Sequence, residues 1–251
     1  MTSPEERLDA NRDHWNELTP INQASDFYDL DGFKAGKSSL SSIEVGELGD
    51  VSGRSLLHLM CHFGLDTLSW ARLGARVTGV DFSDRAVDLA KSIAGDVGVD
   101  ASFVRSDVYD LPRVFQPDEK FDIVFTSYGV LAWLPDLERW AQVVARYLKP
   151  GGTFYMVEFH PFADVFDDRE GVAELKVHYP YFHDPKPIRF EPGVSYADDS
   201  APVTTPTYEW HHGVGDVLDA LISAGLRIEF FHEFPFCVYR KLPFMELGDD
   251  G

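Results

Sequence analysis

The stretch that most constrains this chain lies in its first third, at residues 56–83, and reads LLHLMCHFGLDTLSWARLGARVTGVDFS. Its apolar runs at 56–59 and 76–80 predict two buried strands, and the amphipathic segment between them predicts a helix. A strand, a tight turn, a helix and a second strand that ends in a carboxylate form a nucleotide-type βαβ unit. The turn at 60–64 places backbone N–H groups at a helix N-terminus, and Asp81 can accept the hydroxyls of a ribose.

The turn departs from the glycine-rich patterns that bind dinucleotides. A dinucleotide fingerprint needs G-x-G-x-x-G, and S-adenosylmethionine (SAM) sites usually show G-x-G-x-G. The equivalent positions here are Met60, His62 and Gly64, so the last glycine alone is kept. Because the side chains of Met60 and His62 leave little room for a pyrophosphate, the turn favours a ligand without phosphates. That argument favours SAM over a nicotinamide dinucleotide.

Three further strands are predicted after Asp81, at 101–107, 121–126 and 153–159, with helices between them. Five strands that alternate with helices imply a parallel sheet wound on both faces. Ligands of such sheets bind beyond the carboxyl ends of the strands, where the winding reverses. The polar residues at these ends are Asp81, Asp107, Ser127, Tyr128, Glu158 and His160.

The charge balance and the cysteines restrict the class of protein. The 251 residues include 22 basic and 42 acidic ones, a net charge of −20, which disfavours binding to a phosphate backbone and excludes nucleic acid as a partner. Cys61 and Cys237 lie far apart and predict no disulfide scaffold. We find no signal peptide and no apolar run of membrane-spanning length, so we expect a cytoplasmic protein without a membrane partner. Both a monomer and a homodimer stay open.

The order of five segments resembles the class I SAM-dependent methyltransferases. These segments are LLHLMCHFGLDT, VTGVDFS, SFVRSDVYDLP, FDIVFTSYGVLAWLPD and LKPGGTFYMVEF. The C-H-F-G turn is similar to a bacterial small-molecule branch of that superfamily, in which it replaces the usual glycine motif. The resemblance covers 56–159 and a last helix and strand pair. It implies a doubly wound, Rossmann-like α/β fold with a seven-stranded, mostly parallel sheet, in which LRIEFFHEF and CVYRKLPFMEL form an antiparallel edge hairpin.

The resemblance also implies a site for SAM, with S-adenosylhomocysteine (SAH) as the product. Asp81 would hold the ribose hydroxyls, and Phe82 would lie against the adenine. Asp107 would accept from the adenine amino group, and the Val108 N–H would contact a ring nitrogen. The other predicted cofactor residues wrap the methionine part, line its floor or cover it from the N-terminal lid: Met60, Cys61, His62, Gly64, Thr126, Ser127 and Tyr28.

Both acids have a purely structural alternative. Asp81 could cap the helix that starts near Ser83, and Asp107 could begin the turn before Pro112. Two acids on consecutive strand ends of one sheet nevertheless favour the ligand interpretation.

The chain departs from a minimal methyltransferase between the fifth strand and the last helix. A minimal fold crosses this gap with one helix, whereas 160–212 is aromatic-rich and contains seven prolines. Long segments of this kind are usually binding loops or lids, so we predict a substrate cap with short paired strands. The chain then divides into N-terminal helices and lid (1–50), a cofactor-binding core (51–159 and 213–251) and the cap (160–212).

The cap supplies the candidate catalytic and acceptor-binding groups. Methyl transfer from a sulfonium is an in-line displacement, so the protein mainly aligns the acceptor, excludes water and, where required, removes a proton. The predicted catalytic residues are His160, His183, Glu209 and His211, with His212 a further candidate and His160 favoured. The predicted acceptor-binding residues are Tyr128, Trp133, His160, Tyr181, Tyr208 and Trp210. Each could instead be a hydrogen-bonded residue of the cap. The histidine spacing predicts no metal site.

Three functions stay open from the sequence. The leading hypothesis is a SAM-dependent methyltransferase that acts on an O, N or C nucleophile of a small, flat or aromatic molecule. An NAD(P)-dependent oxidoreductase is disfavoured by the lost glycines and the missing Tyr-x-x-x-Lys pair. The third hypothesis is a SAM-binding protein that has lost transfer chemistry.

Overall fold

A five-stranded parallel sheet lies at the centre of the protein. The computed structural model describes residues 2–169 and 171–248. The strands are β1 (Ser55–Leu59), β2 (Arg76–Asp81), β3 (Ala101–Arg105), β4 (Phe121–Ser127) and β5 (Leu148–Val157). Their order is β3-β2-β1-β4-β5, and every pairing is parallel. The winding reverses between β1 and β4, where the carboxyl ends of the strands form the crevice in which such sheets bind ligands.

Helices cover both faces of this sheet. They are α1 (Pro4–Ala24), α2 (Leu30–Lys34), α3 (Ser42–Leu48), α4 (Leu65–Arg72), α5 (Asp84–Val97), α6 (Leu111–Val114), α7 (Leu137–Tyr147) and α8 (Val214–Ser223). On one face, α7 and α8 pack in a core cluster with Leu57 and Val124. On the other, Trp70 of α4 packs with Leu56, and α5 packs with Phe103. Each fully buried apolar side chain contributes about 1.5–3 kcal/mol, so these two layers hold the sheet in place.

The edge of the sheet differs from the prediction. The doubly wound α/β fold class is confirmed, but the described residues 226–248 contain no strand, so the predicted edge hairpin and the count of seven strands are wrong. Side chains hold this segment beside β5, since the Phe230 ring lies 6.4 Å from that of Tyr155 and His232 contacts Glu47 at 2.6 Å. Residues 227–236 are all exposed, so the segment buries neither face as a half-buried strand would.

The cap contains four short strands over the carboxyl edge of the sheet. They are β6 (Ile188–Phe190), β7 (Val194–Ser195), β8 (Asp198–Pro202) and β9 (Thr207–Glu209). β6 pairs with β9 and β7 with β8, both antiparallel. No helix in the described residues has both the length and the apolar character needed to cross a membrane.

Helix α1 connects the cap to the rest of the protein through hydrogen bonds. The Asn11 side chain accepts the Tyr208 N–H at 2.8 Å and donates to the Tyr208 carbonyl at 2.7 Å. The Glu17 carboxylate accepts the N–H and hydroxyl groups of Thr204 and Thr205 at 2.7–3.1 Å. α1 and the cap therefore form one continuous cover above the strand ends.

Candidate active site

A cavity of about 780 Å³ lies between the carboxyl edge of the sheet and the cover formed by α1 and the cap. This volume is within the range of small-molecule sites. Its core side is formed by the turn after β1, the end of β2 and the loop after β4, and its outer side by the cap and the C-terminal segment. Eight of the predicted cofactor residues line it: Tyr28, Met60, Cys61, His62, Gly64, Asp81, Phe82 and Ser127.

The turn after β1 has a glycine-like backbone although two of its residues carry side chains. Met60 and His62 have φ angles of 60° and 51°, and Gly64 has 77°. A left-handed residue other than glycine costs about 1–2 kcal/mol. The His62 N–H donates to Asp81 at 2.7 Å, which fixes the turn against the end of β2.

The two side chains of the turn occupy different environments. Met60 packs against the core cluster of α7 and α8. The His62 ring lies 4.3 Å from the ring of Phe63 and 5.0 Å from that of Trp15. Burial lowers the pKa of His62 to about 3, so the ring is neutral at pH 7. Its Nε2 has no hydrogen-bond partner among the described residues, which leaves it free for a bound molecule.

Asp81 is buried at the core side of the cavity. One oxygen accepts the His62 N–H and the other accepts the Ser83 N–H at 2.9 Å. Ser83 itself caps α5, because its hydroxyl accepts the Ala86 N–H, so the alternative of Asp81 as the helix cap is wrong. Burial raises the pKa of Asp81 to about 6. Each carboxylate oxygen has a second lone pair that a ligand hydroxyl can use.

Asp107, Val108 and Phe82 line a second, smaller cavity of about 20 Å³, next to the first. Leu8 of α1 and Trp133 lie over it. A space of this size holds about one or two water molecules, so a purine enters only after Leu8 or Trp133 moves. Burial raises the pKa of Asp107. The Asp107 carboxylate also accepts the Tyr109 N–H. The alternative that Asp107 serves only to begin a turn is therefore compatible with the structure.

The sequence reasoning missed a partly buried polar network beside the turn. The Asp66 carboxylate accepts the hydroxyls of Ser39 at 2.7 Å and Ser127 at 2.9 Å, and Ser127 Oγ lies 3.2 Å from His58 Nε2. Burial raises the pKa of Asp66 to about 6 and lowers that of His58 to about 3. Two features of the sequence could have indicated this network: His58 lies inside an apolar strand, and Asp66 lies at the start of a helix.

Glu158 organises the loop after β4. Its carboxylate accepts the Val130 N–H at 2.7 Å, the Leu131 N–H at 3.1 Å and the Gly129 N–H. This loop brings Tyr128 and Trp133 into the cavity. Thr126, predicted to line the floor, is instead buried in the sheet and lies outside both cavities, because alternate residues of β4 face opposite sides.

The structure separates the four predicted catalytic residues. Glu209 and His211 line the cavity, and so does His212. His160 lies outside it, with Nε2 2.6 Å from Glu233. At the end of β5 the residue that lines the cavity is Glu158, so the catalytic role of His160 stays a prediction that this geometry does not favour. His183 also lies outside, hydrogen-bonded to the His211 carbonyl at 3.1 Å.

The predicted acceptor-binding residues are divided in the same way. Tyr128, Trp133 and Trp210 line the cavity, whereas Tyr181 and Tyr208 lie outside it. The Tyr181 hydroxyl accepts the first N–H of α8 at 3.1 Å, and Tyr208 is held by Asn11, so both have structural roles. Several lining residues were not predicted, because they come from distant segments of the chain: Trp15, Tyr196, Asp164, Asp168, Tyr239 and Lys241. Among the described residues there is no group of three acids, histidines or cysteines that could hold a metal ion.

Comparison with known proteins gives one family and a set of relatives. A family model described as a methyltransferase domain matches residues 57–156. The ubiquinone biosynthesis O-methyltransferase of Alkalilimnicola ehrlichii is 35% identical over 105 residues, which cover 42% of this chain and 41% of that protein. The enzyme of the same name from Klebsiella pneumoniae is 28% identical over 136 residues, 53% of this chain and 55% of the relative. This chain thus spans about half the length of these two relatives.

Solved structures resemble the fold over more of the chain. A SAM-dependent methyltransferase from Mesorhizobium loti has a TM-score of 0.54 at 22% identity, covering 80% of this chain and 86% of the other. A putative SAM-dependent methyltransferase from Listeria monocytogenes has a TM-score of 0.53 at 18% identity, covering 72% and 78%. DhpI, solved as its SAH complex, has a TM-score of 0.52 at 18% identity, covering 88% and 89%. At these identities the likeness shows the fold.

Proposed function

We propose that the protein is a class I SAM-dependent methyltransferase, which transfers the methyl group of SAM to a small molecule held under the cap. The match of residues 57–156 to a methyltransferase-domain model supports this proposal. One observation carries the proposal. A single cavity runs from the buried carboxylates beside the β1 turn to the titratable groups of the cap, so a cofactor and an acceptor can meet inside it.

The core side of the cavity suits a ligand with a cationic group and hydroxyls. Asp81 is buried and Asp66 is half-buried, and the hydrogen bonds they accept from the described residues come from uncharged hydroxyls and backbone N–H groups. Burial disfavours an ionised carboxylate, and an ammonium or further hydroxyl donors would offset that cost. We assign the ribose hydroxyls to Asp81 and the methionine ammonium to Asp66. We assign the adenine amino group to Asp107, which requires Leu8 or Trp133 to move out of the adjoining smaller cavity.

The aromatic residues above the turn provide the environment for transfer. SAM supplies an electrophilic methyl group on a positively charged sulfur. Trp15, Trp133 and Tyr128 line the cavity between the turn and the cap. Their ring faces tolerate a cation and stack flat molecules, and their bulk excludes water from the site.

Titration calorimetry with SAM, SAH and NAD⁺ tests the proposed cofactor. We expect SAM and SAH to bind with micromolar dissociation constants and NAD⁺ to show no heat of binding. A pyrophosphate must approach the backbone of the β1 turn closely, and the side chains of Met60 and His62 stand in its way. Binding of NAD⁺ without binding of SAH would contradict the proposal.

Asp66→Asn is expected to lower the affinity for SAH about tenfold or more, because a hydrogen bond to a charged group contributes about 1.5–3 kcal/mol. Affinity for 5′-methylthioadenosine, which has no amino-acid part, is expected to stay unchanged. Calorimetry with both ligands measures the difference, and the exposed Asp199→Asn serves as the matched control. An equal loss for the two ligands would remove Asp66 from ammonium binding.

A further inference from the structure

The cap end of the cavity carries four charged side chains, those of Asp164, Asp168, Glu209 and Lys241. The Lys241 ammonium lies 2.5 Å from Asp164, so this pair is close to neutral. Asp168 and Glu209 have no cation paired with them among the described residues. Three carboxylates against one ammonium give this end an excess of acidic groups, which favours a positively charged occupant. Asp168 is exposed, whereas Asp164 and Glu209 are half-buried.

Glu209 is a half-buried carboxylate that accepts a single hydrogen bond from the described residues. One of its oxygens accepts the Thr207 hydroxyl at 2.9 Å, and the other has no hydrogen-bond donor among the described residues. Burial and the neighbouring Asp164 and Asp168 raise the pKa of Glu209 to about 7, against the opposing effects of Thr207 and Lys241. The group can therefore be ionised to bind a cation and can also take up a proton near neutral pH.

Aromatic rings surround the same end of the cavity. Tyr179, Phe190, Trp210 and Tyr239 line it together with Phe159. The Phe159 ring already has an ammonium near it, since Lys241 Nζ lies 5.8 Å from its centroid. Aromatic faces attract organic cations, and their combination with a carboxylate recognises ammonium groups.

We propose that the methyl acceptor is a primary or secondary amine, which binds as its ammonium between Glu209 and these rings and is methylated on nitrogen. The inference rests on the proposed methyl transfer. Glu209 takes one proton from the ammonium, and the freed nitrogen lone pair forms the bond to the methyl carbon. The carbon–sulfur bond breaks with its electron pair staying on sulfur, which gives SAH. The product nitrogen carries the positive charge, and Glu209 releases its proton to solvent.

Binding of two matched probes to the SAH-loaded protein tests the cation preference. Phenethylamine and 2-phenylethanol have the same ring and chain and differ in the terminal group. At pH 8, where Glu209 is ionised, we expect calorimetry to give at least about tenfold tighter binding of the amine. Glu209→Gln is expected to remove this preference, while Glu229→Gln, on the exposed C-terminal segment, keeps it. Equal binding of the two probes to the unmodified protein would overturn the proposal.

Tyramine offers an amine and a phenol in one molecule and tests the acceptor atom. We expect mass spectrometry of the reaction with SAM to show N-methyltyramine. Formation of O-methyltyramine would overturn the amine proposal while leaving the methyltransferase proposal intact. Failure of SAH to bind at all would instead refute the proposed function itself. If SAH binds but tyramine is not converted, the affinities of phenethylamine and 2-phenylethanol decide the outcome. Tighter binding of the amine supports the proposal, and equal binding overturns it.

Discussion

Asp81→Ala is expected to weaken SAH binding about 100-fold or more, because two hydrogen bonds to a charged carboxylate contribute about 1.5–3 kcal/mol each. Asp81 lies at the end of β2 with a lone pair of each oxygen left for the ribose hydroxyls. Calorimetry at pH 7.5 measures the loss under conditions where the carboxylate is ionised. In the unmodified protein, affinity should fall as the pH drops below about 6, since burial raises the pKa of Asp81 to about 6 and the protonated acid accepts more weakly.

Two comparisons separate ribose binding from damage to the turn. Asp81→Ala also leaves the His62 and Ser83 N–H groups without their acceptor, which costs about 1–3 kcal/mol of stability for each group left unpaired, and urea denaturation without ligand measures this part. 5′-Methylthioadenosine has the ribose but no methionine part, so Asp81→Ala should weaken it as strongly as SAH, in contrast to Asp66→Asn. The exposed Asp110→Ala serves as the surface control. Retained affinity for both ligands in Asp81→Ala would disprove the ribose assignment.

The parts of the fold that the sequence predicts well are those set by neighbouring residues. Two apolar runs predict β1 and β2, and the amphipathic segment between them predicts α4. The structure has these three elements at the predicted places. Asp81 was predictable because it directly ends such a run. The edge hairpin was expected from the family resemblance, whereas the segment after α8 is held by individual side-chain contacts to α3 and β5.

The parts of the site that the sequence does not predict depend on long-range contacts. Lys241 meets Asp164 across many intervening residues, and no local pattern indicates that pair. The sequence favours His160 over Glu209 as the proton acceptor, because His160 directly follows the fifth predicted strand. Their positions in the structure differ because Glu158 binds three N–H groups of the β4 loop and takes the inward position, while β9 carries Glu209 over the cavity.

Gly64→Ala is expected to destabilise the folded protein by about 2–5 kcal/mol, the sum of a left-handed backbone cost and an overpacked core. Gly64 has a φ of 77°, and a Cβ there would lie 2.6 Å from the Phe103 ring. Gly98→Ala provides the matched control, because Gly98 has a φ of 66° but a Cβ would meet none of the described atoms within 4 Å. We expect Gly98→Ala to cost about 1–2 kcal/mol, from the backbone alone. Urea denaturation of both variants measures the difference.

The same comparison explains why one glycine of the turn is kept and two are replaced. Met60 and His62 adopt left-handed angles like Gly64, but their side chains have space, one in the core of α7 and α8 and the other beside Trp15. At Gly64 the space is filled by Phe103. Adding Phe103→Ala to Gly64→Ala should therefore cost less than the sum of the two single changes, because the crowding disappears. Equal costs for Gly64→Ala and Gly98→Ala would show instead that crowding by Phe103 does not determine the residue at this position.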